Sequence, residues 1–274
     1  PNSDKAQEYL SECRSMKIDI SPPDVNVSKG QYSIEKDRNI ATGISAIKGV
    51  GDKAVSEIIE NQPYKDFSDF LRRNNSRVVG KTAIQSLAKS GALDCFKRTR
   101  KDIHDNYQKY RTKIRAAEKK EKFIDDSTLP EYNDEWSRKD ILLYEKQVLG
   151  RSISGSLHEA FSAFFGNSYN KTPLSSVPML ESGSRVRVEA IINSKIKEFK
   201  IKNGKRAGRK FAKYLIEDSD GNTCGLTVWA DDYERYKAVL KDGIPIKAIC
   251  KVSEYLDQKD LALSTLERVY GRTI

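Results

Sequence analysis

At 274 residues, 38% of them hydrophobic, the chain can build two or three small cores but not one large one. No apolar run approaches the roughly 20 residues needed to cross a bilayer, and the opening Pro1-Asn2-Ser3-Asp4 lacks the basic and apolar stretches of a secretory leader, so a cytoplasmic location is expected. A net charge of +10 favours an anionic partner, with nucleic acid as the leading candidate. Cys13, Cys95, Cys224 and Cys250 form no C-x-x-C pair and read as small core residues of a reducing compartment. The first residue is Pro, not Met, as in a segment excised from a longer protein.

In chain order, Tyr9, Leu10, Cys13 and Met16 recur at helical spacing and predict a helix over residues 1 to 20, ended by Pro22-Pro23. The segment from Ser21 to Lys36 reads as irregular or briefly extended. From Ile40 to Phe96, short helical patterns alternate with corners at Gly49 and Gly51, Gly80 and Gly91; helices this short must pack on one another.

The sharpest local signal is Ile47-Lys48-Gly49-Val50-Gly51-Asp52-Lys53-Ala54, with Ile44 before it and Val55, Ile58 and Ile59 after. Helical spacing over Ile40 to Lys48 suggests two antiparallel helices joined by a tight glycine corner. The free amides opening the second helix would seat one phosphate, with Lys48 and Lys53 at its shoulders. This is the helix-hairpin-helix pattern, which grips a DNA backbone without reading bases. The same letters fit a G-x-G-x-x-A dinucleotide fingerprint, but neither a preceding strand nor a βαβ repeat is visible; a plain structural turn is the remaining alternative. Gly80-Lys81-Thr82 resembles the end of a P-loop, yet Asn75 stands where its first glycine belongs. Lys81, Ser90 and Gly91 could form a second, degenerate hairpin, and a simple helix cap at Gly91 explains them equally well.

Beyond Phe96 a basic helix is expected to about Lys122, then an acidic stretch with a linker near Pro130, then a helix from Ser137 to Leu149. From Arg185 the period changes to two, with Val186, Val188 and Ala190 alternating against polar residues. Further strands are expected at Lys210 to Glu217, Thr223 to Trp229, Ile244 to Val252 and Leu261 to Val269, with a helix over Asp231 to Lys241. Five strands with a helix after the third is the order of an OB-fold barrel. The fold class is therefore multidomain α + β: 1–38, 39–125 as a tandem hairpin domain, 126–184 as a helical linker region and 185–274 as the barrel.

Lys195, Lys197, Lys200, Lys202, Lys205, Arg206, Arg209, Lys210 and Lys213 face one acid, Glu198, over the same span. With Phe199, Phe211 and Tyr214 interleaved, they read as a basic loop suited to single-stranded nucleic acid; the rings could equally belong to the core. Asp218-Ser219-Asp220-Gly221-Asn222 lacks the remaining ligands of a calcium loop and reads as a β-turn; Asp231-Asp232 reads as a helix cap. His104 and His158 are solitary, and no paired carboxylates could assemble metals for phosphoryl transfer. No catalytic residue, metal site or cofactor is expected in the chain.

Taken in order, several segments resemble the C-terminal half of the alpha subunit of bacterial DNA polymerase III, the C-family replicase. They are Tyr9 to Ser28, Gly43 to Gly51, Ser90 to Asp94, Glu145 to Gly150 with Ser154-Gly155, and Leu215 to Gly221 with Val228-Trp229. The resemblance spans almost the whole chain and implies the end of a fingers domain, a tandem hairpin domain holding duplex, and a barrel guiding single-stranded template. It also implies that polymerase activity, its aspartates and Mg2+ belong to an upstream palm domain, in a bacterial cytoplasm or nucleoid. Two features depart from the family: Ser156-Leu157-His158 replaces a usual His-Pro, and no Gln-x-x-Leu-x-Phe peptide for a sliding clamp lies between Arg98 and Trp136. A divergent, phage-encoded member would account for both. The alternative is a free-standing repair or recombination accessory protein with hairpin and barrel domains.

Overall fold

The computed structural model describes residues 18–34, 39–166, 170–255 and 258–270, together with Tyr9, Cys13 and Met16. Contacts divide the chain into two compact units, 1–155 and 156–274. Most of the helix expected over residues 1 to 20 lies outside the described residues; Ile20 itself is extended.

The first unit begins with three two-residue strands, β1 (Ile20–Ser21), β2 (Ser33–Ile34) and β3 (Ile40–Ala41), ordered β1-β3-β2. Helices follow at α1 (Asp52–Glu60), α2 (Phe67–Arg73), α3 (Lys81–Ser90), α4 (Arg100–Glu118) and α5 (Arg138–Leu149). All but the 19-residue α4 are too short to persist in water unaided, and each turns an apolar face to one core. Ile44, Ile58, Phe67, Phe70, Ile84, Leu87, Ile103 and Tyr110 are fully enclosed there. Phe67 stacks on Phe70 at 6.1 Å and meets Tyr110 edge-on at 6.3 Å.

Two expectations change. The helical spacing of Ile40 to Lys48 yields strand β3 and a single 3-10 turn, Ile44–Ala46. Tertiary pairing outweighs the spacing: Ile40 pairs with both Ile20 and Ile34, and Ile44 and Ser45 donate to the carbonyls of Lys29 and Gly30. The acidic stretch near Pro130 is no free linker. Asp126 accepts from the Phe67 and Ser68 amides at the start of α2, and Glu135 from the Arg100 and Lys101 amides at the start of α4. Of the 126–184 span, the part up to Gly155 packs within the first unit and the remainder falls in the second.

The second unit opens with short helices α6 (Leu157–Ala160) and α7 (Ser162–Phe165), then forms a closed barrel. Its strands are β4 (Arg185–Lys200), β5 (Lys210–Glu217), β6 (Thr223–Val228), β7 (Pro245–Tyr255) and β8 (Gln258–Val269), in the order β4-β5-β6-β8-β7, with β7 closing on β4. Helix α8 (Ala230–Tyr236) lies between the third and fourth strands, which completes the OB-fold order; it is shorter than the stretch to Lys241 that its sequence suggests. Strand β4 serves two neighbours, pairing through residues 185–191 with β7 and 191–200 with β5. Bulges at Ile192/Ser194 and Lys195/Lys197 bend it between them. Inward-facing Val186, Val188, Tyr214, Ile216, Leu226 and Val228 fill the barrel. Asp218 accepts from the amides of Asp220, Asn222 and Leu174, the β-turn its sequence suggests.

Candidate nucleic-acid interface

The 3-10 turn Ile44–Ala46 leads through Ile47 and Lys48 into the Gly49-Val50-Gly51 corner and then into α1. Ile47 and Val50 are buried and anchor the corner, while Lys48, Gly49, Gly51, Asp52 and Lys53 are exposed. The two glycines differ in kind. Gly49 has φ +94°, and a Cβ there would come within 2.5 Å of the Ser86 hydroxyl on α3, so both backbone and packing demand glycine. Gly51 has an ordinary φ of −76°, and a Cβ there would meet nothing within 4 Å.

The amides at this corner can be accounted for one by one. Lys48 donates to the Val148 carbonyl at 2.8 Å, Val50 to Ile47, and Ala54 and Val55 both to Gly51. Among the described residues this leaves the Gly49, Gly51, Asp52 and Lys53 amides without a protein acceptor, the last three grouped at the positive end of α1. Asp52 is the one carboxylate in that first turn, and its charge competes with any incoming anion.

The second proposed hairpin resolves differently. Lys81 is exposed at the start of α3, but Ser90 and Gly91 are buried. Gly91 caps α3 with φ +82°, Ala92 donates back to Leu87, and the Ser90 hydroxyl donates to the Leu87 carbonyl at 2.9 Å. These two residues are spent on ending the helix and offer nothing to a ligand. The segment that resembles a family link is likewise structural. Buried Glu145 accepts from the Ile153 and Ser154 amides and from Arg100 at 2.8 Å. Burial alone would raise its pKa, but these hydrogen bonds, Ser154 foremost, hold the carboxyl below its ordinary value.

In the barrel, the basic span is not a loop but a two-stranded ribbon. Lys195, Lys197 and Lys200 lie in β4, and Lys210 and Lys213 in β5, paired out to Lys200 opposite Lys210; only residues 201–209 turn. Glu198 bonds Lys195 at 2.8 Å, Lys210 at 2.6 Å and the Tyr233 hydroxyl. Lys195 first, then Lys210 and Tyr233, hold the Glu198 carboxyl down to about 2. Asp231 pairs with Arg206 at 2.7 Å and with Arg209, rather than capping α8, and Asp260 pairs with Lys213. Lys197, Lys200, Lys202 and Lys205 carry no ion pair among the described residues.

Tyr214 is buried in the core and is not part of a binding surface. Phe199 and Phe211 stack across the ribbon at 5.0 Å, and Phe211 stacks on Trp229 at 4.7 Å, making a ladder of three rings. Trp229 and Phe199 end the ladder, 45% and 36% exposed, and the Lys197 ammonium lies over the Phe199 ring, 5.4 Å from its centre. Trp229 is the residue that reading by charge overlooks: it follows β6, remote in sequence from the basic span. Its signal was an aromatic directly after an inward-facing strand residue, Val228.

Among the described residues no group of His, Cys, Asp or Glu is placed to hold a metal ion, and no helix is long and apolar enough to cross a membrane.

Residues 17–103 match the family described as a helix-hairpin-helix motif. The chain is similar to the DNA polymerase III alpha subunit of Borreliella burgdorferi, at 25% identity over 98% of this chain and 24% of that protein. It is also similar to that of Aquifex aeolicus, at 28% identity over 88% of this chain and 20% of the relative. It thus spans a fifth to a quarter of the length of these relatives. The second OB-fold domain of replication protein A from Methanococcus maripaludis is a structural neighbour with 14% identity and a TM-score of 0.28, covering 35% of this chain and 94% of that one.

Proposed function

We propose that this chain, similar over nearly its whole length to one segment of DNA polymerase III alpha subunits, is the DNA-holding part of a replicative DNA polymerase. The hairpin unit seats the backbone of duplex product at the Gly49–Gly51 corner, flanked by Lys48, Lys53 and Lys81. The barrel takes single-stranded template along the basic ribbon, with phosphates on Lys197, Lys200, Lys202 and Lys205 and bases against the ends of the Phe199–Phe211–Trp229 ladder. Nucleotidyl transfer, with its aspartates and Mg2+, is assigned to other parts of such a polymerase, and no sliding-clamp contact is assigned to this chain.

The observation that carries the hairpin reading is Gly51. Neither its φ nor its packing requires glycine, yet it opens α1 beside three amides that have no protein acceptor. A bare backbone there serves something approaching from outside, and a phosphodiester matches amides at a helix start.

The test is fluorescence anisotropy with duplex carrying a single-stranded overhang. Lys48→Glu with Lys53→Glu should lower duplex affinity and flatten its dependence on salt. A binding curve unchanged in position and salt slope removes the corner from the account.

A further inference from the structure

On α4, Arg111 and Arg115 stand one helical turn apart and both reach the loop 74–80 that joins α2 to α3. Arg111 Nη2 donates to the Val79 carbonyl at 2.9 Å, and Arg115 Nη2 to the Ser76 hydroxyl at 2.6 Å. Arg111 is only 9% exposed, and its Nε is buried without a hydrogen-bond partner. Neither guanidinium has an ion pair among the described residues; Glu118, the one acid beside them, is engaged by Arg72 at 3.4 Å. Together Arg72, Asn75, Ser76, Arg111, Arg115 and Glu118 line a recess of about 240 Å³.

This arrangement is unfavourable as it stands. Arginine keeps its proton in proteins, so burial strands a positive charge away from water. Burial first, then the like charge of Arg115, push the Arg111 pKa down. Two cations one turn apart repel each other, and a buried charge without a counter-charge is among the costlier features a fold can carry. An anion in the recess would supply the missing counter-charge and offset the repulsion between the two guanidinium groups. The space is several times the roughly 30 Å³ a water molecule occupies in the liquid.

We infer that the recess is a seat for a phosphate group, held by the forks of Arg111 and Arg115 with the Ser76 hydroxyl alongside. A carboxylate has two oxygens and is satisfied by one guanidinium; two forks from adjacent turns present donors enough for a tetrahedral oxyanion. The phosphate comes either from a nucleic-acid backbone passing the 74–80 loop or from a free phosphate compound. The site is separate from the Gly49–Gly51 corner and stands whether or not that corner binds DNA.

The experiment compares melting of the full 274-residue chain in sodium phosphate and in sodium chloride matched for ionic strength. Phosphate should raise the melting temperature of the wild type by a few degrees. The rise should vanish in Arg111→Met and shrink in Arg115→Gln, whose side chain is exposed and whose loss leaves the core intact. Equal melting in the two salts, or an undiminished phosphate shift in both variants, overturns the inference. Duplex binding in chloride then identifies the source: a severalfold loss in Arg115→Gln assigns a backbone phosphate, and unchanged affinity a free phosphate compound. Gly51→Ala should leave the phosphate shift intact whatever it does to duplex binding, which keeps this site's fate distinct from that of the corner.

Discussion

The hairpin unit and the barrel use the same residue types in opposite ways. In the hairpin unit the strongest charge networks are folded inward: Glu145 with Arg100, and Arg98 with Asp102 and Asp126, knit helix ends together, and the surface offered to a ligand at the corner is mainly bare backbone. In the barrel the core is almost wholly apolar, and the cations stand on an exposed ribbon where three carboxylates already engage five of the nine. An acid or a base is thus no guide to function by itself. Burial and the partner decide whether a charge holds the fold or is available to a polyanion.

The sharpest way to break that comparison is a pair of isosteric changes, Glu145→Gln and Glu198→Gln. The first removes one member of a buried pair and should cost about 3–5 kcal/mol, read by urea denaturation; the second, on the exposed ribbon, should leave stability near wild type. The pH dependence has a defined sign. Glu145 is depressed in the folded state, so its contribution is fully present above its unfolded value near 4.3 and fades as pH falls through the folded value. Glu145→Gln should flatten the acid limb of the hairpin unit's stability curve, and a limb of unchanged steepness would assign acid lability to other groups.

Next in size is Trp229→Ala, which takes away the exposed end of the ladder without touching a core side chain. Loss of about 1–3 kcal/mol in oligothymidine affinity is expected, with duplex affinity unchanged; anisotropy against both ligands separates the outcomes. The glycines follow. Gly49→Ala must relieve an overlap with Ser86 at a positive φ and should destabilise the fold by about 1–3 kcal/mol. Gly51→Ala should lose only the preference of a helix N-cap for glycine over alanine, less than Gly49→Ala loses, yet bind duplex less tightly, since its methyl intrudes only on an external ligand.

The smallest effect expected is on salt slopes. Changing Lys200, Lys202 and Lys205 to Gln should lower the salt slope of single-strand binding by roughly 0.7 per lost phosphate contact. Arg206→Gln with Arg209→Gln should lower it less, because Asp231 already neutralises part of their charge. Equal slopes for the two sets would mean that the ion pairs open freely on binding.

Much of this was legible in the chain. Period-two alternation from Arg185 located the barrel strands, because inward and outward faces of a closed sheet must alternate. Ser137 and Gly150 bracket α5, because free amides and carbonyls at helix ends need a hydroxyl and a left-handed residue. The Gly49–Gly51 corner stood out because few sequences need two glycines one residue apart. Local pattern could not show that Ile40 and Ile44 would answer to Ile20, Ile34 and Lys29 instead of to each other, nor that Ser90 and Gly91 would be buried. Nor could it pair Asp231 with Arg206 and Arg209, bring Trp229 to Phe211, or leave Arg111 buried without a carboxylate. Periodicity and capping are set by neighbours within a few positions, so sequence alone determined the barrel strands, most of the helices and their order, but not β3 or the extent of the β4–β5 ribbon. Burial and partnership depend on which distant segments meet, and only the tertiary structure decided which charges became architecture and which remained free to bind.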